Sequence, residues 1–212
     1  MIEADSLAFE RSRSRRTGVF GGTFDPLHNG HMMVALEVQA ALSLDRMLLV
    51  VANDPWQKAD LPITPAATRF ALVAEAVARV NARLGQDGLE ASDIEIQRGG
   101  ETYSADTLEE LRSSGEDHLF LLVGSDAAAG LDSWSRPEVI RELATTVVVE
   151  RGGRVGGRPP ADWDHVVVSV PVMEVSSSDL RARFADGRPV EALMPPTVID
   201  GVRRLGLFES AQ

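Results

Sequence analysis

Residues 18–31 read GVFGGTFDPLHNGH: a short apolar run breaks into a glycine pair, and two histidines follow, three positions apart, where an amphipathic segment begins. These residue types in this order suit the binding of phosphate groups. Gly21 and Gly22 let the backbone approach a ligand, Pro26 interrupts the strand, and imidazoles at His28 and His31 beside the first free amides of a helix can meet an anion. A histidine pair could also be half of a metal site. Against that, the chain has no cysteine, and its other histidines, His118 and His165, fall on distant predicted strands. The run is neither a Walker A loop, since no Gly-Lys-Ser/Thr follows, nor a GxGxxG turn.

Three further segments carry chemistry. VSSSDLR, residues 175–181, places three hydroxyls at a helix start with Arg181 one turn in. Alone it is an N-cap with spare serines; joined to the histidine loop it becomes a triphosphate clamp. GGETYSADTLEEL, residues 99–111, is a turn followed by a capped amphipathic helix. VGSDAAAGLDSWSRPE, residues 123–138, sets Trp134 just before a helix start. That indole is either a half-buried packing residue or a stacking surface for a pyridine ring whose carboxylate could meet the amides of Ser135 and Arg136.

The elements that must position these segments alternate. Strands are predicted over residues 17–20, 46–52, 89–96, 118–123, 145–150 and 165–170. Helices are predicted over 30–43 and 66–83, from 103 or 104 to 112, from 137, over 176–187 and over 200–205. Residues 53–65 read as a proline-rich loop and 151–164 as a long glycine- and arginine-rich one. Buried apolar strands alternating with helices predict an α/β fold: a doubly wound, mostly parallel, Rossmann-like sheet in a single domain over residues 17–208. Residues 1–16 read as a flexible N-terminal tail. Ligands of such sheets bind beyond the carboxyl ends of the strands, where the GGTFDP, GSD and SSSD segments are expected.

Composition narrows the function classes. A formal net charge of −11 over 212 residues argues against broad nucleic-acid binding, so an anionic substrate must be held by local donors. The absence of cysteine removes disulfides and thiol nucleophiles and fits a cytoplasmic protein. No run of 18 apolar residues suggests a membrane span, and the tail lacks the apolar core of a signal peptide. Its arginines, Arg11, Arg13, Arg15 and Arg16, read as a solvated cluster rather than a phosphate contact.

Taken together, GGTFDPLHNGH, TYS, GSD with the following Trp134, and VSSSDLR resemble the nicotinate-nucleotide adenylyltransferase family of the (T/H)xGH nucleotidyltransferases. The resemblance runs in order from Arg16 to Phe208. It implies a Rossmann-like nucleotidyltransferase fold and adenylyl transfer from ATP to nicotinate mononucleotide, giving nicotinate adenine dinucleotide and pyrophosphate in NAD biosynthesis. By position, it implies that Gly21, Gly22, Thr23, Phe24, His28 and His31 contact ATP, with Gly124, Asp126, Ser177, Ser178 and Arg181 completing that half. Lys58, Thr102, Tyr103, Trp134, Ser135 and Arg151 are implied for nicotinate mononucleotide, although Lys58 reads equally well as a solvated surface lysine.

His31 is the expected contact of the α-phosphate, with His28 orienting the β- and γ-phosphates. Mg²⁺ is expected through the ATP phosphates with no protein ligand, and Asp25, beside Pro26, reads as a turn cap. The implied partners are ATP and nicotinate mononucleotide, without nucleic acid or membrane; a homo-oligomer is compatible by analogy only. The chain departs from the family pattern at Arg151-Gly152-Gly153-Arg154, where the aromatic of an RPGY-like turn is missing. The alternatives are a nicotinamide mononucleotide, pantetheine-phosphate or cytidylyl enzyme of the same superfamily, or a catalytically silent nucleotide binder.

Overall fold

Runs that are apolar at every position fold as strands buried on both faces, and runs that are apolar every third or fourth position fold as the helices that cover them. The computed structural model describes residues 15–55, 63–116, 118–152 and 156–209. Within them the chain runs β1 (Arg16–Gly22), α1 (Asn29–Ala41), β2 (Arg46–Val51), α2 (Ala66–Leu84), β3 (Leu89–Ser92), α3 (Ile94–Arg98), α4 (Ser104–Ser113) and β4 (His118–Gly124). It continues through α5 (Ser125–Ala128), a 3₁₀ turn (Leu131–Ser133), α6 (Pro137–Leu143), β5 (Ala144–Arg151), β6 (His165–Val170), α7 (Ser177–Ala185) and α8 (Pro196–Arg204).

The strands pair in parallel in the order β3-β2-β1-β4-β5-β6. The pleat turns Met47, Leu49 and Val51 of β2 toward a core shared with Val38 of α1, Val73 of α2, Leu180 of α7 and Val198 of α8. Leu48 and Val50 face a second core with Leu108 of α4 and Ile140 of α6. Each such side chain contributes about 1.5–3 kcal/mol when fully buried, so both helical layers are needed to hold β2. This is the doubly wound sheet that the strand pattern predicts.

Strand order reverses between β1 and β4, and ligands of open α/β sheets bind at such a reversal. The register opens the cleft there. β1 pairs with β4 only from Arg16 to Val19, opposite His118 to Leu121, while Gly21 and Gly22 stay on β2 opposite Val50 and Val51. Beyond Val19 the two strands part.

Several boundaries correct the sequence reading. The first strand runs through the glycine pair instead of stopping at Phe20, because β2 offers those residues a ladder. It also begins one residue before the expected domain edge: the Arg16 guanidinium lies 4.7 Å over the Phe120 ring and donates to the Leu42 carbonyl at 3.0 Å. Residues 1–14 of the expected tail lie outside the described residues. The strand expected over 89–96 ends at Ser92, and Ile94–Arg98 form a helical turn. The alternation Ile94-Glu95-Ile96 suits either period, and Gln97 donating to the Asp93 carboxylate at 2.8 Å supports the turn. The last helix starts at Pro196 rather than 200, since proline is preorganised for a first helical position.

The largest fully buried side chain among the described residues is a charged one. Arg69, in the first turn of α2, is 1% exposed and donates to three carbonyls: Thr64 at 2.8 Å, Thr23 at 2.8 Å and Asn53 at 3.1 Å. Burial pulls its pKa below the ordinary arginine value, and the nearby Asp25 carboxylate opposes that shift. Arg69→Met keeps the apolar stem but removes the three donors and the guanidinium charge near Asp25. It is expected to lower the unfolding free energy by about 3–5 kcal/mol in urea denaturation; a loss below ~1 kcal/mol would mean that water replaces the guanidinium.

Candidate active site

Residues 23–28 connect β1 to α1, and three side chains from two other helices hold their carbonyls. Arg69 binds the Thr23 carbonyl at 2.8 Å, Arg181 of α7 donates to that of Asp25 at 2.8 Å, and the Ser177 hydroxyl donates to that of Pro26 at 3.0 Å. The Asp25 carboxylate is 3% exposed and accepts from the Thr64 amide at 3.2 Å. Gly22 is required by packing: a Cβ there would stand 2.7 Å from the Phe24 ring. A Cβ on Gly30 would crowd His28 Nδ1 and Val175, each at 3.0 Å. A Cβ on Gly21 would meet nothing within 4 Å, so this backbone is open to the cleft.

The histidines cap α1 reciprocally. His31 N–H donates to His28 Nδ1, and His28 N–H donates to His31 Nδ1, each at 3.3 Å. Both Nδ1 atoms are therefore acceptors, and each neutral ring carries its proton on Nε2. The rings stack with centroids 3.6 Å apart and planes 17° apart, and the Phe24 ring stands edge-on to His31 at 5.0 Å. Burial, with the Arg151 charge adding to it, lowers the His28 pKa to about 4. The pair thus offers neutral N–H donors.

The cleft between β1 and β4 encloses about 330 Å³. Phe20, Gly21, Gly22 and Thr23 form one wall, Leu121 to Gly124 with Ala127 the second, and Thr102, Tyr103, Ser104, Trp134 and Ser135 a third. Glu95 also lines it; burial raises its carboxyl pKa, opposed by the Thr107 hydroxyl at 2.6 Å and by Arg98. Thr102 holds the loop after β2, donating its amide to the Asp54 carbonyl and accepting from the Asn53 amide, both at 3.1 Å. A second groove lies beyond the end of β5, lined by Arg151, Gly152, Val175, Ser176 and Asp179.

The cytidylyltransferase-like family model matches residues 19–183. A protein of Saccharopolyspora erythraea named a probable nicotinate-nucleotide adenylyltransferase is 37% identical over 199 residues, covering 93% of this chain and 91% of that protein. One of Salinispora arenicola with the same name is 38% identical over 193 residues, covering 89% and 99%. The chain belongs to the nicotinate-nucleotide adenylyltransferase family. The fold is also that of a solved Plasmodium falciparum nicotinic acid mononucleotide adenylyltransferase complexed with NaAD, with a TM-score of 0.75 at 17% identity over 92% of this chain and 97% of that one.

Within this family member the motif residues gather in two groups. Gly21, Gly22, Thr23, Gly124, Thr102, Tyr103, Trp134 and Ser135 share the cleft. His28, His31, Phe24, Ser177, Ser178 and Arg181 meet around the loop before α1, where Arg181 also donates to the Ser178 hydroxyl at 3.1 Å. Asp126 is exposed in the first turn of α5. Trp134 packs on the second core and also lines the cleft.

Arg151 does not line the pyridine-side cleft expected from the motif order. It lines the neighbouring groove and acts electrostatically on His28, because β5 ends on that side. Lys58 lies outside the described residues. Sequence reasoning missed Arg69 and Glu95, whose burial no local pattern announces.

Because His28 is neutral in the fold but has an ordinary pKa near 6.5 when unfolded, neither state binds this proton above that pH. Between pH 6.5 and about 4 the unfolded chain binds it first, so stability falls with pH, by at most about 3 kcal/mol from this group. His28→Asn keeps an acceptor for the His31 amide and removes the titration. Urea unfolding at pH 7 and 4.5 should show a smaller loss in the variant than in the parent; equal losses would place the His28 pKa near its ordinary value.

Proposed function

We propose that this chain transfers the adenylyl group of ATP to the 5′-phosphate of nicotinate mononucleotide, forming nicotinate adenine dinucleotide and pyrophosphate. The observation that carries the reading is a cleft with an indole and a phenol on one side that runs back to the glycine pair and the loop bearing two neutral imidazoles. The names of the relatives support it. A phosphate oxygen of the mononucleotide attacks the α-phosphorus, and the bond to pyrophosphate breaks with its electron pair leaving on the pyrophosphate oxygen. A phosphate monoester is already an anionic nucleophile, so positioning and charge stabilisation replace a general base.

In this reading the Nε2–H of His31 donates to the α-phosphate as charge builds, and His28, Ser178, Arg181 and Arg151 serve the β- and γ-phosphates. Asp126 and Gly124 sit at the nucleotide end of β4. The nicotinate ring stacks on Trp134 beside Tyr103 and Thr102, with its carboxylate toward the Ser135 and Arg136 amides. The Arg136 guanidinium is engaged by Asp106 and Glu109, so backbone donors rather than that cation read the carboxylate.

Mg²⁺ belongs to this reading as a partner of ATP. Among the described residues no three His, Cys, Asp or Glu side chains gather as a ligand set, and Asp25 is turned into the fold toward Thr64 and Arg69. In this reading phosphate oxygens and water hold the ion, which would supply charge neutralisation to the leaving pyrophosphate. No described helix is long and apolar enough to cross a membrane. A cytoplasmic location is part of the reading, supported by the cysteine-free composition.

Pyrophosphate release with ATP and Mg²⁺ tests the function, comparing nicotinate mononucleotide, nicotinamide mononucleotide and phosphopantetheine. Release with the acid well above the amide is expected; similar rates would remove the carboxylate argument, and no release would favour a silent binder. His31→Ala should lower kcat by about 10²- to 10³-fold, and a variant keeping over about half the parent kcat would exclude that role. Trp134→Ala should raise KM for the pyridine nucleotide far more than KM for ATP, whereas equal effects would make Trp134 core packing.

A further inference from the structure

Trp163 lies near the end of the loop between β5 and β6, and it does not line the cleft. Its side chain is 3% exposed in the second core, together with Leu131 and Ile140. Its Nε1–H donates to the Asp132 carboxylate at 2.7 Å, and the Arg141 guanidinium lies over its ring at 5.6 Å. Asp132 is two residues before Trp134, and Arg141 is on α6, which begins just after Ser135 and Arg136. One buried indole therefore grips the chain on both sides of the residues that face the pyridine subsite.

The turn needs such a grip. Leu131–Ser133 is a three-residue 3₁₀ turn without a side-chain cap, and the α6 start is likewise uncapped, with Arg136 at φ 51°. Runs this short do not hold their own geometry. The segment bearing Trp163 has an anchor of its own, Arg158 pairing with the buried Glu150 at 2.6 Å, and Asp162 adds a second tie to Arg141. Gly157 sits so close to α5 that a Cβ would stand 2.9 Å from both the Ser125 carbonyl and Ala129 Cβ.

We infer that Trp163 is a positioning residue for the pyridine subsite, fixing through Asp132 and Arg141 the turn from which Trp134 and Ser135 reach the cleft. The inference rests on the proposed seating of the nicotinate ring against Trp134. Trp163→Phe keeps an aromatic ring but deletes the donor. Asp132 is exposed, so its carboxylate is rehydrated, and the loss falls on the position of the turn rather than on a stranded charge.

Steady-state kinetics on the full chain test this. W163F should raise KM for nicotinate mononucleotide about 3- to 10-fold, the range set by one lost hydrogen bond, while KM for ATP and kcat stay within about two-fold. D132A should match W163F, D132N should stay near the parent because it keeps an acceptor, and the double variant D132A/W163F should be no worse than either single one. A W163F protein whose two KM values rise together, or whose pyridine KM moves less than about two-fold, overturns the inference. If W163F does not fold, the D132A and D132N pair decides on the same criterion.

A readout without turnover separates this inference from the proposed function. In chain labelled with 5-fluorotryptophan, the ¹⁹F resonance of Trp134, assigned through W134F, should shift or broaden in D132A and not in D132N. An unchanged Trp134 resonance in D132A refutes the positioning role whatever the enzyme turns over. A parent chain that releases no pyrophosphate with nicotinate mononucleotide, yet shows the ¹⁹F change, refutes the substrate reading and leaves the brace standing.

Discussion

A buried guanidinium holds three chain ends together: Arg69 binds the carbonyl of Thr23 after β1, of Asn53 after β2 and of Thr64 before α2. Backbone carbonyls at strand ends cannot be left dry without loss, and a cation satisfies several at once with charge-assisted bonds. Asp25 supplies the opposing charge that makes its burial tolerable. The consequence is geometric. The loop from Thr23 to Pro26 is drawn toward α2 by Arg69 and toward α7 by Arg181 and Ser177, so its path is set before any ligand arrives.

A preset path is what the proposed phosphate site would need in a chain with net charge −11. The long-range field repels anions, so attraction must come from donors placed within hydrogen-bonding distance. Stacked at 3.6 Å, two imidazolium rings would repel each other, and burial already favours the neutral form of His28. The reciprocal cap engages both Nδ1 atoms with backbone amides, which places the ring protons on Nε2. Preorganised neutral donors gain strength as charge develops on a phosphoryl group and need not reorganise.

The pyridine side is built on a different principle. Its indole comes from the short turns between β4 and β5, which have little cohesion of their own, and its phenol from the turn before α4. Their order derives from neighbours: the Thr102 pairing to Asn53 and Asp54, the Glu95–Thr107 contact below it, and the Trp163 brace behind. The loop before α1 is thus held by side chains gripping its carbonyls, and the turn before Trp134 is met by a buried indole at Asp132.

Element order, the two-faced burial of β2 and β4, the histidine loop and the serine-led helix were legible in the sequence, because hydrophobic period and capping chemistry are local along the chain. Where local signals conflicted the reading failed: Ile94-Glu95-Ile96 fits a strand as well as a turn, and the glycine pair looked like a strand end until β2 supplied a partner. Arg69, Glu95 and Trp163 carried no sign of their roles, since a buried arginine, glutamate or tryptophan looks like any other until its partners are known. Which strands part to open the cleft, which groove Arg151 joins, and which carbonyls meet one guanidinium were decided only by the tertiary structure, because hydrogen bonding and desolvation depend on residues brought close by the fold and far apart in sequence.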